Sequence, residues 1–158
     1  MTLVEPGPEN GFQAGYARLL RDSFHRLTGR ELIERAIAPS DVGRALYEAP
    51  FAILAHGTGP DPVFTYGNRT ALALYQVEWR ELVTLASRLS AEPECQTERA
   101  RLLEQVTVRG FIDDYSGVRI SRTGKRFLIR RVIVWNLIDQ TGTYHGQGAM
   151  FREWQPLP

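Results

Sequence analysis

The order of segments along this chain predicts an α+β fold: a five-stranded antiparallel sheet, helices mainly on one of its faces, and an amphipathic helix at the N-terminus. Three observations predict it. Helical periodicity dominates residues 12–48, two short apolar runs separated by turn residues follow, and after further helical stretches the last third alternates in strand fashion. A chain of 158 residues, 43% hydrophobic and 10% aromatic, suffices for one ordinary core. Residues 1–49 read as a helical extension and 50–158 as the domain proper, one compact unit together.

In order along the chain, Asn10 can cap a helix whose Phe12, Tyr16, Leu19, Leu20, Phe24 and Leu27 share one face, and Gly29 stops it. Arginines 18, 21 and 26 with Asp22 occupy its remaining surface, so this helix is a cover laid on something apolar. Pro39 and Ser40 introduce a second short helix over Asp41 to Glu48, ended by Pro50. Phe51 to His56 and Val63 to Tyr66 form a hairpin across the turn residues Gly57 to Pro62. Asn68 caps a helix over Arg69 to Tyr75, helical character continues through Val77 to Leu89, and a third stretch runs from about Thr97 to Arg109 before Gly110. Three long antiparallel strands then cover Ile112 to Ser121, Arg126 to Ile138 and Thr143 to Trp154.

Bulk chemistry narrows the function classes. Nineteen basic against eighteen acidic side chains leave a net charge of +1, which gives no long-range attraction to nucleic acid or an anionic membrane. Lone Cys95 forms no internal disulfide, and no export signal or membrane-spanning run is visible, so a cytoplasmic protein without a membrane anchor is expected. Histidines 25, 56 and 145 lack ligand spacing, so no metal site is expected. Asp113 and Asp114, adjacent on a strand, point to opposite faces and cannot share a substrate. No nucleophile elbow, phosphate loop or triad spacing occurs, and the chain is read as a non-enzyme. The basic string Lys125, Arg126, Arg130 and Arg131 beside Phe127 and Trp135 reads as a solvated hairpin end rather than a single-strand nucleic-acid platform.

Several strings carry a family resemblance. Leu19 to Leu32 (LLRDSFHRLTGREL), Tyr47 to Gly57 (YEAPFAILAHG), Tyr66-Gly67-Asn68, Ser87 to Pro93 (SRLSAEP) and Arg109 to Phe127 (RGFIDDYSGVRISRTGKRF) together resemble the stand-alone bacterial MEKHLA-domain proteins. Pro60 to Tyr75 also resembles the PAS segment in which the second strand ends in a helix-starting asparagine. The resemblance implies a PAS-like fold and a role in sensing or regulating interactions, and supplies no catalytic residues. Ala86-Ser87-Arg88-Leu89 is similar to the motif of light-sensing PAS domains, with Ser87 where the reactive cysteine would stand. A hydroxyl is far less nucleophilic than a thiolate, so no flavin-thiol photoadduct is expected, and Trp135-Asn136-Leu137 alone does not restore a flavin site.

The hairpin across Thr123-Gly124, taken as a two-residue turn, sets Ser121 opposite Arg126 and Ser116 opposite Arg131. Strand alternation then places Arg131 on the same face as Phe127, Ile129 and Trp135. A buried guanidinium needs a partner: a bound anion, a carboxylate such as Asp113 or Asp114, or a β-bulge that turns it to solvent. The expected pocket is lined by Tyr66, Tyr75, Phe111, Arg131 and Trp135 and takes a small organic molecule. The alternative is a ligand-free interaction module, whose contact surface would include Tyr16, Leu20, Phe24, Val132 and Val134 and would serve a homodimer or a separate effector protein.

Overall fold

The computed structural model describes residues 2–158. Helix α1 (Ala14–Thr28) buries Ala17, Leu20, Ser23 and Phe24 and ends where Gly29, at φ 71°, donates its N–H to His25 O. Asn10 does not cap this helix itself; its Oδ1 accepts from Gly7 N and Gln13 N and closes the turn just before it. Helix α2 (Val42–Tyr47) follows Pro39 as expected.

Strand β1 (Ala52–His56) is wholly buried and pairs antiparallel with β2 (Phe64–Gly67). Asn68 joins this hairpin to α3 (Arg69–Tyr75). Its Oδ1 accepts from Ala71 N and Ile53 N, both at 3.0 Å, while Nδ2 donates to Leu46 O at 3.0 Å and Phe51 O at 2.8 Å. One buried amide thus satisfies backbone groups from three elements, well beyond a helix cap. The stretch expected to be helical from Val77 to Leu89 is broken: α4 covers only Trp79–Leu82, Ala86 bridges to Val63, and Ser87–Ser90 form a 3-10 turn. Helix α5 (Pro93–Arg109) starts at its proline, whose missing N–H is harmless in a first turn, and stops at Gly110.

Strands β3 (Phe111–Ile120), β4 (Arg126–Ile138), β5 (Tyr144–Phe151) and β6 (Glu153–Pro156) complete a six-stranded sheet of order β2-β1-β5-β4-β3, with β6 also on β4. The sixth strand arises because the last expected strand breaks at Arg152: β5 pairs with Ile133 to Ile138 of β4, and β6 with Phe127 to Arg130.

Both sheet faces are covered. Helix α1 lies on one, where Ile53, Tyr66, Trp135, Leu137 and Met150 form a core with Leu20 and Phe24. Ser23 fixes the crossing, accepting from Ile138 N at 3.0 Å and donating to Ile138 O at 2.9 Å. Helices α3 and α5 cover the other face over Leu54, Phe64, Phe127, Ile129, Val132, Val134 and Phe151. The proposed contact residues Tyr16, Leu20, Phe24, Val132 and Val134 are therefore not a surface. The first three lie under or within α1 against the sheet, and the two valines face the α5 side.

The β3–β4 register differs from the expected one by one residue. Ile120 faces Arg126 and Arg119 faces Phe127, because the connection is a three-residue loop, Arg122 to Gly124, closed by Ser121 N to Lys125 O at 2.9 Å. Gly124 takes the left-handed conformation, φ 88°, at the third loop position, the form of a type I turn followed by a bulge. A one-residue slip reverses every side chain on the strand, so Arg119 and Tyr115 turn inward.

Candidate ligand pocket

A cavity of about 50 Å³ lies between α5 and the sheet. Leu54, Phe64, Ile129, Val132, Val134 and Phe151 form apolar walls, and Arg99, Leu102 and Leu103 of α5 close it from above. Its polar lining comes from His56, Tyr75, Ser90, Arg99, Tyr115, Arg119 and Gln147.

Each polar group reaches the cavity for a readable local reason. Arg99 lies three and seven residues before Leu102 and Val106, on the buried stripe of α5. It is 8% exposed and has neither an ion pair nor a hydrogen bond among the described residues. Burial, reinforced by the charge of Arg119, pushes its guanidinium down to about 10. Arg119 is 6% exposed and donates to Val118 O at 2.9 Å and Tyr115 Oη at 3.3 Å. Tyr115 in turn donates to Glu98 Oε2 at 3.1 Å at the protein surface. The Tyr75 phenol is pushed up to about 12 by burial and stays protonated.

His56 ends the apolar run of β1. Its Nδ1 lies 3.0 Å from Gly57 O, to which it donates as the neutral ring, and Nε2 is buried without a partner. Burial pushes the imidazole down to about 4, with the nearby charge of Arg99 acting in the same direction. Gly146 permits this arrangement: at φ 125° its Cα lies so near His56 O that a Cβ would fall 2.0 Å from that oxygen.

Asn136 and Gln147 clasp the end of α5. Asn136 Nδ2 donates to Val106 O at 3.1 Å and Thr107 O at 3.3 Å; the two N–H groups of Gln147 Nε2 are shared among Leu103 O, Thr107 Oγ1 and Asn136 Oδ1, each at 3.1 Å. Thr107 O is a carbonyl that the helix end leaves free, whereas Val106 O already accepts from Gly110 N at 2.8 Å and Leu103 O from the Thr107 hydroxyl at 3.0 Å. These bonds also commit the two amide nitrogens, and the cavity is about a third of the ~150 Å³ that holds benzene in an engineered apolar void, so a three-ring flavin does not fit. Ser87 is fully buried outside the cavity lining, its hydroxyl unpartnered.

Of the residues expected to line a pocket, only Tyr75 does. Tyr66 and Trp135 lie on the α1 face, Tyr66 stacked 5.8 Å from Tyr16 and Trp135 edge-on 5.0 Å from Phe24. Phe111 packs on that same side. Arg131 is exposed: it adopts φ 52°, one extra residue on β4 between the pairs Gly117↔Ile129 and Tyr115↔Val132, and its Nε lies 3.5 Å from Glu153. The bulge that the sequence left open thus occurs, with Glu153 rather than Asp113 or Asp114 as partner; Asp113 pairs with Arg30 at 2.9 Å. Arg99, Arg119, His56 and Gln147 were missed. An arginine inside the Leu102/Val106 stripe signals Arg99, whereas Arg119 needs the strand register.

Among the described residues, no helix is long and apolar enough to cross a membrane and no group of three or more His, Cys, Asp or Glu could hold a metal. Arg126 of the basic string pairs with Glu92 at 2.6 Å.

Solved structures similar to this one include PAS domains. One from Colwellia psychrerythraea aligns with a TM-score of 0.60 at 10% identity, over 72% of this chain and 92% of that one. The PAS domain of a LuxR-family transcriptional regulator from Burkholderia thailandensis, in complex with ethanol, aligns at 0.53 and 16%, over 72% and 95%. The light-state dimer of the fungal blue-light photoreceptor Vivid aligns at 0.57 and 13%, over 88% and 92%. No curated protein matches the chain in sequence. The fold is that of PAS domains, and since the MEKHLA domain model matches residues 14–156, nearly the whole chain, the protein belongs to the MEKHLA family.

Proposed function

We propose that this PAS-like protein is a regulatory module whose signal is a small organic molecule bound in the cavity between α5 and the sheet. The observation that carries the reading is a cavity whose lining includes His56 Nε2, a buried atom without a protein partner, and Arg99, 8% exposed and with no hydrogen bond or ion pair among the described residues. An imidazole nitrogen and a guanidinium without partners at one void suit a ligand that completes them. The LuxR-family PAS domain in complex with ethanol supports the idea that a domain of this shape accepts a molecule of very few atoms. Binding rather than turnover is favoured because the Ser90 hydroxyl donates to Ser87 O at 2.8 Å, so it is not activated by His56.

The signal would leave through α5. That helix is held at one end by the Asn136/Gln147 clasp and at the other by the Glu92–Arg126 pair, while its middle lies over the cavity. A ligand that binds better when α5 is closed shifts the population toward that state by its differential affinity. A second reading, self-association, rests on Val118, Ile120 and Leu128, half-buried residues that belong to neither core.

Native mass spectrometry of freshly purified protein, with an absorption spectrum of the same sample, tests both. A mass excess released on denaturation is expected. A clean mass, with no thermal shift across a library of small organic molecules, would reject the ligand reading. A dimer peak would favour self-association.

A further inference from the structure

Several exposed arginines of this chain pair with carboxylates: Arg30 with Asp113, Arg88 with Asp61, Arg122 with Glu81 and Arg126 with Glu92. These groups need partners least, because water already solvates them. The two buried arginines, Arg99 and Arg119, have no carboxylate among the described residues. Arg119 donates only to neutral oxygens, Arg99 donates to none, and the two charges repel each other across one cavity. No acidic residue lines that cavity, and neighbouring Glu98 is engaged by the Tyr115 hydroxyl. A buried unpaired cation is strongly disfavoured, and two around a shared void more so.

A negative charge inside the cavity would resolve both. Guanidinium forks match the two oxygens of a carboxylate. The facing wall of Ile129, Val132 and Phe151 is apolar, which suits a hydrocarbon tail, and about 50 Å³ limits that tail to a few carbons. We infer that the ligand is a small organic anion, a carboxylate on a short apolar chain, held between Arg99 and Arg119. This rests on the proposal that the cavity is a ligand site.

The test uses the full chain, dialysed until native mass spectrometry shows the bare mass. Thermal melting and calorimetric titration are run with acetate, propionate, butyrate and inorganic phosphate, with propionamide and butyramide as uncharged isosteres and sodium chloride holding ionic strength. Butyrate or propionate is expected to raise the melting temperature saturably while the amides do not. Arg99→Met and Arg119→Met should each weaken carboxylate binding roughly tenfold or more, the loss of a charge-assisted hydrogen bond. Arg99→Met without ligand should melt no lower than the parent, since it removes an uncompensated charge. Equal shifts from amides and carboxylates, carboxylate binding that survives both substitutions, phosphate outcompeting butyrate, or a clear drop in melting for ligand-free Arg99→Met would each overturn the inference. If amides alone bind, the cavity is still a ligand site and only the anion is wrong; if neither class binds, the ligand-site reading fails with it.

Discussion

The two faces of the sheet are built from alternate residues of the same strands, yet they differ in kind. On the α1 face, aromatic rings meet in sequence, Tyr16 on Tyr66, Tyr66 edge-on to Trp79 at 5.7 Å, and Phe24 edge-on to Trp135. Packing there is tight enough that Gly148 is required: a Cβ would come within 2.8 Å of the Trp135 ring. The α5 face carries a void, two buried guanidiniums and a neutral histidine. The α1 face has orphans too, Tyr66 Oη and Trp135 Nε1, but these are neutral dipoles, each costing roughly 1–3 kcal/mol, whereas an unpaired buried charge costs more. The difference teaches that one side of the sheet carries stability and thereby lets the other remain incomplete.

The largest expected effect separating the faces is Trp135→Ala, which removes a fully buried indole and should cost about 4 kcal/mol in urea unfolding. A loss under about 1 kcal/mol would mean the α1 face is not the close-packed one.

Next comes pH. His56 is held neutral in the fold, at about 4, against the ordinary 6.5 in the unfolded chain. The unfolded state therefore takes up a proton first as pH falls. The contribution of His56 is complete above pH 6.5, declines between about 6.5 and 4, and is gone below; the gap corresponds to about 3 kcal/mol. Denaturant unfolding of wild type and His56→Gln across that window should show a shallower slope in the variant. Parallel curves would mean that the histidine is solvated.

The smallest effect sharpens the comparison most, because it uses neighbouring positions of one strand. Gly148→Ala, toward the packed face, should lose about 2 kcal/mol by overpacking, while Ala149→Val, toward the cavity, should be neutral or gain up to about 1 kcal/mol. Melting curves that rank the two the other way would undo the assignment of faces.

Much of the fold was legible because its signals are local. Gly29 and Gly110 end helices, Asn68 starts one, and the β1–β2 hairpin follows from two apolar runs flanking turn residues. Tyr75 lines the cavity between α5 and the sheet. The rest of the site was not legible because it depends on strand phase, which no local signal fixes. Thr123-Gly124 has the composition of a two-residue turn, yet the glycine serves as the third residue of a longer one, and that single step exchanged Arg119 for its neighbours. The left-handed residue at Arg131 then shifted the remainder of β4, sending Trp135 to the α1 face and Val134 to the cavity. Charged residues in such phases are the hardest to place, since their side of the sheet inverts with every slip.

The bulge at Arg131 has a counterpart across the ladder. Asp114, at φ 60°, is an extra residue on β3 between the pairs Ile112↔Val134 and Tyr115↔Val132, so the offset introduced on β4 is cancelled within a few residues. The two insertions are coupled in length. Removing either residue alone would turn one arm of the β3–β4 hairpin inside out, whereas removing both would leave the arms in phase. Strand phase at this point is therefore kept only by matched steps in both strands, so residues 114 and 131 act as one geometric unit.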